Sequence, residues 1–157
     1  MKFTIETAGE IMTSPPFCLN ASTNVSEAAH TLVNKHFHGA PVVNDDDELV
    51  GVVSESDLLA VIAGAAFHAL PAGHVADFMS RDPQTAETTD DIYTITRHFQ
   101  RGRASRLPVM ENGRCVGIIT RRNLLLALQR LTGFHDKEPR ETYEVLAKLR
   151  SERDGAA

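Results

Sequence analysis

The chain has 157 residues, 42% of them apolar and 24% charged, enough for one compact unit or two small ones sharing a core. A net charge of −5 argues against nucleic acid as the main partner, and no apolar run approaches the ~20 residues of a membrane span. The first twelve residues lack the apolar stretch of a secretory signal, and two cysteines, Cys18 and Cys115, are too few for a disulfide framework, which points to a reducing cytoplasm.

In chain order, Pro16 to Asn20 reads as a short extended piece. Asn24 then caps a helix, with Glu27 placed to complete a capping box. Val25, Ala28, Ala29, Leu32 and Val33 form its apolar face. Pro41-Val-Val and Leu49-Val-Gly-Val-Val make a hairpin around Asn44-Asp-Asp-Asp-Glu, and a helix from Glu55 to about Phe67 closes the unit. Gly64 to Gly73, with Pro71, is a linker. The same order then recurs. Pro83 to Glu87 is extended, Asp91 caps a helix with Ile92, Ile95 and Phe99 inside, and Asn112-Gly113 forms a type I′ hairpin turn. A helix from Arg121 to about Leu131 closes the second copy. Tyr143, Leu146 and Leu149 suggest a further amphipathic helix. The expected organisation is a first repeat with its linker over 1–74, a second repeat over 75–132 and a helical extension over 133–157.

The two copies align residue by residue. Glu10-Ile-Met-Thr matches Asp77-Phe-Met-Ser, and Ala40-Pro-Val-Val matches Leu107-Pro-Val-Met, both at an offset of 67. Leu49-Val-Gly-Val-Val-Ser matches Cys115-Val-Gly-Ile-Ile-Thr at 66, so one residue is lost in the hairpin turn, where a deletion is tolerated. Neither copy can bury a good core alone, and pairing about a pseudo-twofold axis solves this. Charge separates them: the first repeat, over 8–62, nets −7 and the second, over 75–130, nets +3. Such halves can dock on each other or hold the two ends of one ligand.

Two constellations could carry chemistry. Gly51-Val-Val-Ser54-Glu-Ser56-Asp57 and Gly117-Ile-Ile-Thr120-Arg-Arg122-Asn123 each take a strand into a helix. Ser54 or Thr120 caps that helix, free backbone N–H groups there suit an anion, and Asp57 suits two adjacent ribose hydroxyls. The same pattern is also an ordinary helix start. His36-Phe-His38-Gly39-Ala40-Pro41 and Arg103-Ala-Ser105-Arg106-Leu107-Pro108 lead into a strand and offer a ledge for a flat ring. The Arg106 fork suits phosphate.

Together these motifs resemble a CBS domain pair, or Bateman module, over roughly 7–131. The resemblance implies an α+β fold of tandem βαββα repeats joined through their sheets about a pseudo-twofold axis. It also implies two clefts that take AMP, ADP, ATP or S-adenosylmethionine derivatives. One cleft would use Ser54, Ser56 and Asp57 facing Gln84, Thr85, Ser105, Arg106, Leu107 and Pro108. The other would use Thr120, Arg122 and Asn123 facing Phe17, Cys18, His38, Gly39, Ala40 and Pro41. Asn123 replaces the acid of the pattern, so the second cleft is expected to bind more weakly.

The reading is a cytoplasmic nucleotide sensor without catalytic activity, acting on a separate regulated protein, with neither nucleic acid nor membrane as partner. A homodimer is expected through Leu58, Leu59, Ile62, Leu124, Leu125 and Leu128. The alternatives are a ligand-free dimerisation or scaffold module and, less favoured, a metal-binding protein using His36 and His38.

Overall fold

The computed structural model describes residues 6–68, 73–102 and 105–132. The middle of the linker, Arg103 and the C-terminal segment with Tyr143, Leu146 and Leu149 lie outside them.

Local sequence sets each element. Asn24 caps α2 (Val25–Lys35) by accepting from Ser26 N at 2.9 Å. Glu27 takes no part in this cap, so the expected box is absent. Helix α2 ends where His36 turns left-handed, with φ 55°. The chain then enters β2 (Gly39–Val43) and returns as β3 (Leu49–Ser54) into α3 (Glu55–His68). In the second copy Asp91 caps α5 (Ile92–Arg101) through Thr94 N at 2.7 Å. Strands β6 (Arg106–Glu111) and β7 (Arg114–Thr120) follow, then α6 (Arg121–Thr132). Asn112 and Gly113 have φ of 51° and 79°, the pair of positive values that a type I′ turn requires. With β1 (Leu19–Asn20) parallel to β2 and β5 (Ala86–Glu87) parallel to β6, each copy is a βαββα unit, and the fold is α+β with tandem repeats.

The repeated Met-Thr/Ser segments each pack against the core of the other copy. They are exchanged. Helix α1 (Ala8–Ile11) buries Ala8 and Ile11 among Ile92, Ile95, Leu107, Ile119 and Leu124 of the second copy. Helix α4 (Val75–Phe78) and Met79 join Leu19, Val25, Leu32, Val53 and Leu58 of the first. Beyond α4, β4 (Ser80–Arg81) pairs with β3, Ser80 opposite Val52. At the equivalent place Thr13 bridges Ile118. These matched crossings are the pseudo-twofold relation in physical form.

The recurrence of one methionine and one strand glycine in each copy now has a cause. Met79 lies over Gly51, and Met12 lies over Gly117. A Cβ at Gly51 would stand 2.7 Å from both Met79 Sδ and the Ser80 carbonyl oxygen. The sulfur can move aside, but the carbonyl is fixed by strand pairing. Gly51→Ala should therefore destabilise by about 1–3 kcal/mol, as overpacking does. Gly64, inside α3 with open space where its Cβ would be, is the control. Gly64→Ala should stabilise by about 0.5–1 kcal/mol. Urea unfolding of the two variants checks both signs.

Two apolar assignments change. Val33 is 66% exposed, because it stands about 80° around α2 from Val25 and clears the core. Leu58 and Leu124 are buried in their own cores, whereas Leu59 and Leu125 are 69% and 62% exposed.

Candidate functional site

The end of β3 and the start of α3 form a reciprocal cap. Ser54 N–H and Ser54 Oγ–H both donate to Asp57 Oδ2, at 2.8 and 2.7 Å, while Asp57 N–H donates back to Ser54 Oγ at 3.3 Å. Asp57 Oδ1 has no hydrogen-bond partner among the described residues. Asp57 lines a cleft of about 400 Å³ together with Ser54, Arg81, Gln84, Ser105 and Arg106, among others. Its size lies within the ordinary range of small-molecule sites.

At the equivalent position Asn123 repeats the cap. Its Oδ1 accepts from Thr120 N–H at 3.0 Å and from Thr120 Oγ–H at 2.5 Å. The amide nitrogen is also committed, donating to the Ile11 carbonyl at 3.1 Å and to Thr13 Oγ1 at 3.2 Å. Asn123 thus holds the exchanged α1 segment and does not line the neighbouring cleft. That cleft, about 830 Å³, is lined by Phe17, His36, Phe37, His38, Gly39, Ser56, Thr120 and Arg122, together with Glu55 and Arg121. Its wall carries a Phe17–Phe37 ring pair with centroids 5.5 Å apart, and Lys35 Nζ sits 5.2 Å from the Phe17 centroid. His38 Nδ1 pairs with Glu55 Oε2 at 2.8 Å. Among the described residues, no three His, Cys, Asp or Glu side chains gather to hold a metal.

An amide cannot be traded for a carboxylate at Asn123 without loss, because two of its bonds need an N–H donor. Asn123→Asp should turn an oxygen toward the Ile11 carbonyl and cost about 1–3 kcal/mol of stability. It should create no ribose site. Denaturation and ligand titration of this variant read the two outcomes separately.

Arg106 lies between the clefts. Ser54, Ser105 and Arg106 line both, so they form a shared wall. Arg106 is 9% exposed, and its Nη1 donates to the His38 carbonyl at 2.8 Å. Burial lowers its pKa, and the charge of Glu55 acts in the opposite direction. The guanidinium passes across Gly39, whose φ is +149°. A Cβ there would overlap both Arg106 and the Val53 carbonyl, so the glycine makes room for the crossing.

Several expected site residues stand elsewhere. Ala40 and Leu107 are fully buried core residues, and the rings of Pro41 and Pro108 are buried as well, because β2 and β6 are covered on both faces. Only their main chain can meet a ligand. Ser56 lines the larger cleft and not the one containing Asp57, since one helical residue separates it from the Asp57 face by about 100°. Thr85, Cys18 and Asn123 line neither cleft. The structure adds Arg81, Asp82 and Pro83 to the first cleft. An arginine following the second Met-Ser pair was the available signal, but only the exchange of α4 and β4 brings it there.

These features define a module of two fused βαββα repeats with two unequal clefts along their junction. A family model for the CBS domain matches residues 8–64 and 75–130, and the chain belongs to the CBS domain family. It is 31% identical over 116 residues, 73% of its length and 40% of the relative's, to protein MJ1225 of Methanocaldococcus jannaschii. A crystal structure of CBSX2 in complex with AMP superposes with a TM-score of 0.72 at 31% identity, covering 81% of this chain and 98% of that one. CBSX2 is a protein of Arabidopsis thaliana. The CBS domain pair of MJ0100, solved with 5′-methylthioadenosine and S-adenosyl-L-methionine, matches at a TM-score of 0.70 and 22% identity over 85% of this chain and all of that one, a likeness of fold. The chain spans between 14% and 64% of the length of eight curated relatives. No helix among the described residues is long and apolar enough to cross a membrane.

Proposed function

We propose that the protein is a non-catalytic sensor that binds an adenine nucleotide in the Asp57 cleft and passes its occupancy to a separate protein. The observation that carries this reading is Asp57, with one carboxylate oxygen uncommitted among the described residues, lining a cleft of nucleotide size together with Gln84, Ser105 and Arg106. Two adjacent ribose hydroxyls can donate to that oxygen, and the Arg106 N–H groups not used on His38 can meet phosphate. AMP, ADP and ATP are the proposed ligands, with S-adenosylmethionine a possible fourth. The AMP complex of CBSX2 supports the choice of an adenine ligand.

We further propose a cytoplasmic homodimer that buries the exposed Leu59, Leu125 and Leu126 of α3 and α6. A monomeric mass from micromolar to millimolar concentration would refute it. The alternative of a ligand-free dimerisation module is favoured by one observation, the complete satisfaction of the Asn123 amide. Thermal unfolding with AMP, ADP, ATP and S-adenosylmethionine separates the readings. A ligand at 100 times its dissociation constant stabilises by about 2.7 kcal/mol. No shift with any of the four leaves the scaffold reading.

A further inference from the structure

We propose that Cys18 and Cys115 form a redox-active dithiol, one cysteine from each repeat, that closes to an intramolecular disulfide with a low-molecular-weight disulfide such as oxidised glutathione as oxidant. The two are 97 positions apart in the chain, but the exchange of α1 brings them together. Beyond α1 the backbone runs alongside β7: Thr13 N–H donates to the Ile118 carbonyl at 2.9 Å, and Ile118 N–H donates back at 3.0 Å. Ser14 Oγ–H then donates to the Val116 carbonyl at 2.9 Å. Further along, Cys18 and Cys115 come into interaction range, each thiol being the largest influence on the other.

A second set of contacts holds the same junction from the other side. Asn20 Nδ2 donates to Asp45 Oδ1 at 3.0 Å, and Asp47 of the same turn pairs with Arg114, next to Cys115, at 3.7 Å. Both cysteines are free thiols of intermediate exposure, open to a small oxidant.

The surroundings assign the roles. Contact with Cys115, burial and the charge of Asp47 all push the Cys18 thiol up. The same contact, with backbone groups of Gly117 and Val109, lowers Cys115. The thiolate is the nucleophile in exchange. Cys115 therefore attacks one sulfur of the oxidant, forming a mixed disulfide and releasing one glutathione thiolate, which takes up a proton. Cys18 then gives up its proton to solvent and attacks Cys115 Sγ, expelling the second glutathione. Two protein thiols are oxidised, and one glutathione disulfide is reduced to two thiols. Phe17 next to Cys18 and Ile118 on β7 both line the larger cleft, so the bond ties two of its walls together.

The test treats the reduced full chain with oxidised glutathione, alkylates the remaining thiols and maps the peptides by mass spectrometry. The expected product lacks two hydrogens, carries no glutathione and yields one linked peptide pair containing Cys18 and Cys115. Its thermal midpoint should rise on the order of 10 °C, as for a cross-link closing a long loop, and dithiothreitol should reverse the change. Cys18→Ser should stop at a stable mixed disulfide on Cys115. Links formed only between chains, glutathione retained on both cysteines of the wild type, or two thiols that remain open to alkylation would each overturn the proposal. No nucleotide enters the readout, so the result stands apart from the proposed sensing role.

Discussion

Arg106→Ala is expected to weaken the fold itself and to distinguish phosphate-bearing ligands from those without phosphate. The guanidinium is buried and donates to the His38 carbonyl across the repeat junction. Removing it leaves that carbonyl without its charged donor and opens space above Gly39. The stability loss should be about 1.5–3 kcal/mol, the range for hydrogen bonds to charged groups. A surface cation near a helix end would cost only a few tenths. Arg106→Lys should recover a minor part, because a single ammonium cannot keep the bond to His38 and also address the cleft. In calorimetry, AMP should lose more affinity than adenosine, and the difference measures the phosphate contact. A variant as stable as the wild type would refute the bridging role. Equal losses for AMP and adenosine would refute the phosphate contact while leaving the bridge intact.

Asp57→Ala is expected to reduce adenine-nucleotide affinity by about 1.5–3 kcal/mol, roughly 10- to 150-fold. The substitution also removes the reciprocal cap with Ser54, so a second variant separates binding from folding. Asn123 shows that an amide oxygen can accept both Thr120 bonds. Asp57→Asn should therefore keep the start of α3 while removing the charge offered to the ribose. Its stability should stay near that of the wild type, and its affinity should fall between wild type and Asp57→Ala. If Asp57→Asn binds like wild type, charge assistance is not part of recognition. Loss of stability without loss of affinity in Asp57→Ala would make the carboxylate a cap alone.

Much of the fold was legible because its determinants are local. Asn24, Asp91 and Asn112-Gly113 each act within a few residues, and the sequence names their partners. The closing motifs were legible for the same reason: Ser54 and Asp57, like Thr120 and Asn123, meet across a single helical turn. Long-range partners were hidden. Repetition shows that Met12 and Met79 are equivalent, but not which glycine each one covers. Asn123 reads as a weakened ribose ligand until its amide is seen on Ile11, 112 residues away. Arg106 reads as a phosphate clamp, and the structure adds a main-chain bond in the opposite repeat. Leu58 and Leu59 are neighbours on one apolar run, and only the packed core decides that Leu58 is inside and Leu59 outside.

The exchange of α1 and α4 has a consequence for how the chain comes off the ribosome. When residues 6–68 have emerged, the first core still lacks Val75 and Met79, and Ala8 and Ile11 have no partners until the strands and helix of the second copy are made. Contacts over such separations close slowly, so folding of either half waits for the other. A polypeptide ended after 68 should remain unstructured on its own. Mixed with a separate fragment from 73 onward, it should regain order, with both halves appearing in one concentration-dependent transition.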